Sequence, residues 1–148
     1  MTVLVTGAAG FIGSHLSMRL LDRGDEVIGI DNMNSYYDVR LKEARLARLE
    51  AREGFRVARI DVQDREAVHA LVDDNPSITG IVHLAAQAGV RHSLVDPYSY
   101  VDSNVMGQVV MLEAARRLPD FAHFCYASSS SVYGANTEMP FSIDDRVD

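Results

Sequence analysis

The chain has 148 residues, 47% of them hydrophobic and 24% charged, and a net charge of −7. That length allows one domain with a real core. The composition is that of a soluble globular protein, and the acidic balance without a basic patch argues against nucleic acid or an anionic membrane as partner. Every apolar run falls short of the ~20 residues that span a bilayer, and the N-terminus lacks the order of a signal peptide, so a cytoplasmic location is expected.

The elements follow in chain order. Residues 2–6 predict a strand, 14–22 a helix, 26–30 a strand and 40–53 a charged, Leu/Ala-rich helix. Residues 55–60 predict a third strand, 64–72 a helix capped by Asp64, and 80–84 a fourth strand. Residues 97–118 predict one long helix with Pro97 at its start, and 121–127 a fifth strand. Strict alternation of strand and helix implies a parallel sheet covered on both faces. Right-handed crossovers favour strand order 3-2-1-4-5, a Rossmann-like doubly wound α/β fold. Beyond Gly134 the sequence loses any period and reads as loop. The single cysteine, Cys125, has no partner for an internal disulfide and sits in an apolar stretch, so it is expected to be buried and inert.

The chemistry gathers at the C-terminal ends of these strands. Gly7, Gly10 and Gly13 stand between the first strand and the first helix, spaced Gly-x-x-Gly-x-x-Gly. A glycine turn opening a helix can cradle a pyrophosphate, because backbone can approach closely and the helix N-terminus offers free N–H groups. The competing reading is a glycine turn without a ligand. Asp31 ends the second strand, close to the position where a carboxylate accepts from both ribose hydroxyls and disfavours a 2′-phosphate, which points to NAD rather than NADP. A merely solvated or capping Asp is the alternative. Asp61 and Val62 close the third strand, where an adenine contact competes with simple helix initiation. His83 reads as a satisfied, partly buried imidazole rather than a ligand. None of the five histidines has metal-ligand spacing, so no metal is expected. Ser128, Ser129, Ser130 and Ser131 leave the fifth strand, either as groups facing a substrate or as a polar turn.

Taken together, TGAAGFIG, DNMNSYYDVRLKEARL, HLAAQAGVRHS, YVDSNVMG and YASSSSVYGANTEMPFSIDDRVD resemble the extended short-chain dehydrogenase/reductases. Within them the resemblance runs to the sugar-nucleotide epimerases, the UDP-glucuronate 4-epimerases above all. The resemblance implies that Gly7, Gly10, Phe11, Ile12 and Gly13 line a pyrophosphate of NAD and that Asp31 and Asn32 hold its adenosine ribose. It implies Asp61 and Val62 at adenine, and Leu84, Ala85, Ala86, Asn104 and Ser128 along the cofactor or its supporting network. Ser129 matches the catalytic serine at the sugar's reacting hydroxyl, and Arg91, Ser130 and Ser131 fall on the side of a UDP-sugar substrate.

In that family the proton acceptor is the tyrosine of a Tyr-x-x-x-Lys motif, whose i, i+4 spacing puts both groups on one helix face. Here the only lysine is Lys42, with Asp38 four residues before it. The chain therefore reads as one incomplete NAD-binding domain, 1–148, truncated before the remaining strands and the substrate domain, and inactive alone. A homodimer through the long helix is implied for a full-length member. Two alternatives stand: another sugar-nucleotide enzyme of the family (decarboxylase or dehydratase), or a non-catalytic NAD-binding fragment. Dehydration needs an acid–carboxylate pair after the active-site hydroxyl, where this chain has Ser130 and Ser131.

Overall fold

The computed structural model describes residues 1–147. Five parallel strands, β1 (Thr2–Thr6), β2 (Glu26–Ile30), β3 (Phe55–Ala58), β4 (Ile78–His83) and β5 (His123–Tyr126), form one sheet in the order β3-β2-β1-β4-β5. This is the expected Rossmann-like α/β topology. Helices α1 (Phe11–Asp22), α2 (Val39–Glu50) and α3 (Arg65–Asp73) connect the first four strands. The connection to β5 runs through a 3₁₀ turn (Val90–Leu94), a short α4 (Tyr98–Tyr100), a π-helical stretch (Val101–Met106) and α5 (Gly107–Arg117).

Side chains alternate across the central strands as a two-residue period requires. Leu4, Ile28 and Ile81 face one way and pack with Val68 and Val72 of α3 and Val110, Met111 and Ala114 of α5. Val3, Val5 and Val27 face the other way and pack with Leu20 and Leu21 of α1 and Leu46 and Leu49 of α2. An ion pair between Arg117 and Asp73 ties α5 to α3 at the surface.

The boundaries differ from the sequence reading for identifiable reasons. α1 begins at Phe11, not 14, because Gly13 sits inside its first turn rather than ahead of it. α2 ends at Glu50, and Gly54, at φ +84°, turns the chain into β3. β3 ends at Ala58, so Ile60 to Val62 leave the sheet and form cleft wall instead. β4 starts at Ile78, whose fully buried side chain continues the strand. The predicted single helix 97–118 is interrupted by the π-helical stretch. Cys125 is exposed, which corrects the buried reading: α1 and α2 cover β1 to β3, and nothing described covers the outer strand β5 on that face.

Asp64 caps α3 by accepting from the Ala67 N–H at 3.0 Å, as expected. Past Gly134 the chain is irregular but pinned, with Tyr133 stacked on Phe141 at 4.5 Å and Asp145 accepting from Asn136 and the Ser142 N–H.

Candidate nucleotide-binding cleft

The C-terminal ends of β1, β2 and β4 open into a cleft of about 420 Å³. Its floor is the glycine turn. Gly7 has φ +68°, and a Cβ there would meet the Ala85 backbone nitrogen at 3.1 Å; at Gly13 a Cβ would overlap the Gly7 carbonyl oxygen. Glycine is thus required by the turn's own closure. The α1 N-cap is Gly10, with no side-chain cap. The first-turn N–H groups, which no preceding helical carbonyl can satisfy, are left for an anion.

One wall carries Asp31, which is 6% exposed. Its carboxylate accepts from the Ala9 N–H at 3.1 Å, the Met33 N–H at 2.9 Å and the Lys42 ammonium at 3.2 Å. Lys42, 5% exposed, also donates to the Asn34 side chain at 3.1 Å. Pairing offsets the desolvation that each charge suffers on burial. Asn32 donates to Asp61 at 2.8 Å, linking the ends of β2 and β3 across the same wall.

Behind the floor, Thr6 and His83 lock β1 to β4. The Thr6 hydroxyl oxygen accepts from the Leu84 and Ala85 N–H groups at 3.1 and 3.0 Å. Its proton is then free only for His83 Nδ1, 2.7 Å away, so Nδ1 is the acceptor and the ring proton sits on Nε2. Burial pushes the His83 pKa down to about 4. His83 is therefore the satisfied neutral imidazole that the sequence suggested.

Gly7, Gly10, Phe11, Ile12, Gly13, Asp31, Asn32, Asp61, Val62, Leu84, Ala85 and Ala86 all line the cleft. Asn104 lies behind it: its side chain accepts from the Gln87 N–H at 2.7 Å and donates to the Gln87 carbonyl at 3.1 Å, bracketing the cleft segment as a strand neighbour would. The residue that reaches the cleft from the π-helical stretch is Ser103. Ala127 lines it too, while Ser128, Ser129, Ser130 and Ser131 lie beyond that edge, exposed; the Ser129 hydroxyl accepts from the Ser131 N–H at 3.3 Å. Arg91 is exposed on the 3₁₀ turn, outside the lining.

Sequence reading missed Lys42, Thr6, Tyr36 and Tyr37. Lys42 had a signal. It shares the buried stripe 42, 46, 49 of α2 with two leucines, and a lysine in an apolar stripe needs a buried anion.

A parallel sheet with a glycine turn, an uncapped helix N-terminus and a buried carboxylate at adjacent strand ends defines a Rossmann-like domain of the nucleotide-binding type. The family described as GDP-mannose 4,6 dehydratase matches residues 4–148, and the chain belongs to that family of extended short-chain dehydrogenase/reductases. UDP-glucuronate 4-epimerase 4 of Arabidopsis thaliana is 51% identical over 147 residues, which are 99% of this chain and 33% of that protein. Protein CapI of Staphylococcus aureus is 46% identical, the match covering 43% of its length. The chain thus spans less than half the length of these relatives. Among solved structures, UDP-glucuronic acid 4-epimerase from Bacillus cereus, in complex with UDP-glucuronic acid and NAD, superposes with a TM-score of 0.84 at 36% identity. That match covers 99% of this chain and 46% of the other. The UDP-glucose-4-epimerase of Stenotrophomonas maltophila, with bound NAD, gives 0.82 at 30%.

Proposed function

We propose that the chain is the N-terminal, NAD-binding part of a UDP-sugar 4-epimerase acting on UDP-glucuronate. The observation that carries the cofactor half is the cleft itself, where an uncapped helix N-terminus lies beside the buried carboxylate of Asp31, whose Oδ2 accepts one N–H and keeps a lone pair for a ribose hydroxyl. Gly10, Phe11, Ile12 and Gly13 would hold the pyrophosphate, Asp31 and Asn32 the adenosine ribose, Asp61 and Val62 the adenine, and Leu84 to Ala86 the run toward the nicotinamide. Bound NAD supplies reversible hydride acceptance at the sugar's 4-position. Ser129 would hydrogen-bond the 4-hydroxyl, with Ser130, Ser131 and Arg91 on the sugar-nucleotide side. The related Bacillus cereus enzyme in complex with UDP-glucuronic acid and NAD supports the substrate and the cofactor.

The family's proton acceptor is the tyrosine of a Tyr-x-x-x-Lys pair, and the single lysine of these 148 residues, Lys42, has Asp38 four residues before it, so they would not supply that pair. The 148-residue chain is therefore expected to bind NAD without epimerising UDP-glucuronate. The run Ser129-Ser130-Ser131 disfavours a dehydratase, which needs an acid–carboxylate pair at that place.

Calorimetric titration tests the cofactor reading. Asp31→Asn removes a charged acceptor, and NAD is expected to bind roughly 10- to 100-fold more weakly. NADP is expected to bind the unaltered chain worse than NAD, because Lys42 is committed to Asp31 and Asn34. Equal affinities for the two dinucleotides would defeat the role given to Asp31.

A further inference from the structure

Two loops wall the cleft on either side. The loop between β2 and α2 contributes Asn34, Tyr36 and Tyr37, and the segment after β4 contributes Gln87 and Ala88. The base of the first loop is fixed by Asp31, Lys42 and Asn34. Its crest is held differently, by rings. Tyr36 lies against His92 with ring centroids 5.1 Å apart and planes tilted 59°. His92 in turn faces Tyr100 at 6.4 Å. The Tyr100 hydroxyl donates to the Ala88 carbonyl at 3.1 Å and to the Gly89 carbonyl. Gly89 has φ +92°, and a Cβ there would collide with the Tyr36 hydroxyl oxygen. Three rings from three separate segments thus converge where the two walls meet, on a backbone position that only glycine fits.

We infer that Tyr36, His92 and Tyr100 form a clasp joining the two walls and slowing release of the dinucleotide; this rests on the cofactor reading above. A dinucleotide lying between Asn34, Tyr36 and Tyr37 on one side and Gln87 and Ala88 on the other leaves by parting those walls. The ring contacts break when they part, so they set part of the barrier to release. These three are positioning residues, acting through the loops rather than on the reacting atoms.

The test uses the full 148-residue chain and NADH as probe. Release is timed in stopped flow by displacing fluorescent NADH with excess NAD, and amide hydrogen exchange is followed in the ligand-free protein. Tyr36→Leu is expected to release NADH about five-fold faster, the worth of one aromatic pair. It is also expected to speed exchange across 88–94 as well as 33–38. Tyr36→Phe keeps the ring on His92 and should hold both readouts close to the parent. His92→Leu breaks the clasp from the other wall and carries the same expectation as Tyr36→Leu. If Tyr36→Leu and His92→Leu each loosen only their own segment and leave NADH release unchanged, the clasp is overturned. Failure of the unaltered chain to bind NADH overturns the cofactor reading itself, and the release effect with it.

Discussion

The Thr6–His83 pair couples a titratable ring to the floor of the cleft. Thr6 Oγ1 accepts two N–H groups, so its only proton goes to His83 Nδ1. A proton on Nδ1 would set two donors against each other. The folded-state pKa of about 4 lies below the ordinary 6.5, so the unfolded chain takes up a proton first as pH falls. Stability from this group is therefore complete above about pH 6.5 and declines toward pH 4, by about 3 kcal/mol in all. His83→Asn retains an acceptor near Nδ1 and removes the titration. Urea unfolding between pH 7 and 4 is expected to show a shallower loss in the variant than in the parent, and identical slopes would refute the assignment. Asp31 was legible in the sequence because its distance from Gly7 is set by local geometry, one helix and one strand. Thr6 was not, because its role depends on β4, 77 residues away along the chain.

Alternation of apolar runs with amphipathic segments made the elements legible, but not their detailed ends. A helical period read from 97 to 118 cannot reveal a π-helical stretch, since the apolar spacing around it remains compatible with a helix. The widened turns re-aim residues relative to a regular helix. Ser103 thereby reaches the cleft while Asn104 brackets both backbone groups of Gln87. Asn104→Leu strands that N–H and carbonyl beside a residue only 8% exposed. The expected loss is about 2 kcal/mol, read as a lower urea midpoint at unchanged slope. Asn104→Asp keeps the 2.7 Å acceptor and loses the donor, so it should fall between the two. A leucine variant as stable as the parent would mean that water replaces both bonds.

At the scale of the molecule, the sheet order followed from chain alternation and crossover handedness alone. What covers each face did not. Tyr98, Val101, Val105, Val109 and Leu112 are spaced three or four apart, and each is at least 45% exposed. Their opposite side, with Val110, Met111 and Ala114, is already buried against the sheet and α3. A helical span apolar on both sides has a second surface to cover, and a self-complementary stripe suits a two-fold pair of chains. We propose this stripe as a contact of the homodimer expected for a full-length member. Val105→Glu combined with Val109→Glu would place four charges in such a contact. The pair is expected to dissociate at least a hundredfold more readily, on the order of 3 kcal/mol. Sedimentation at several concentrations reads this directly: the parent should move as two chains and the double variant as one. The stripe is exposed in these 148 residues, so the double variant should unfold at the parent's urea concentration once both are diluted to monomer. A parent that sediments as one chain at every concentration would remove the stripe from consideration as a self-contact.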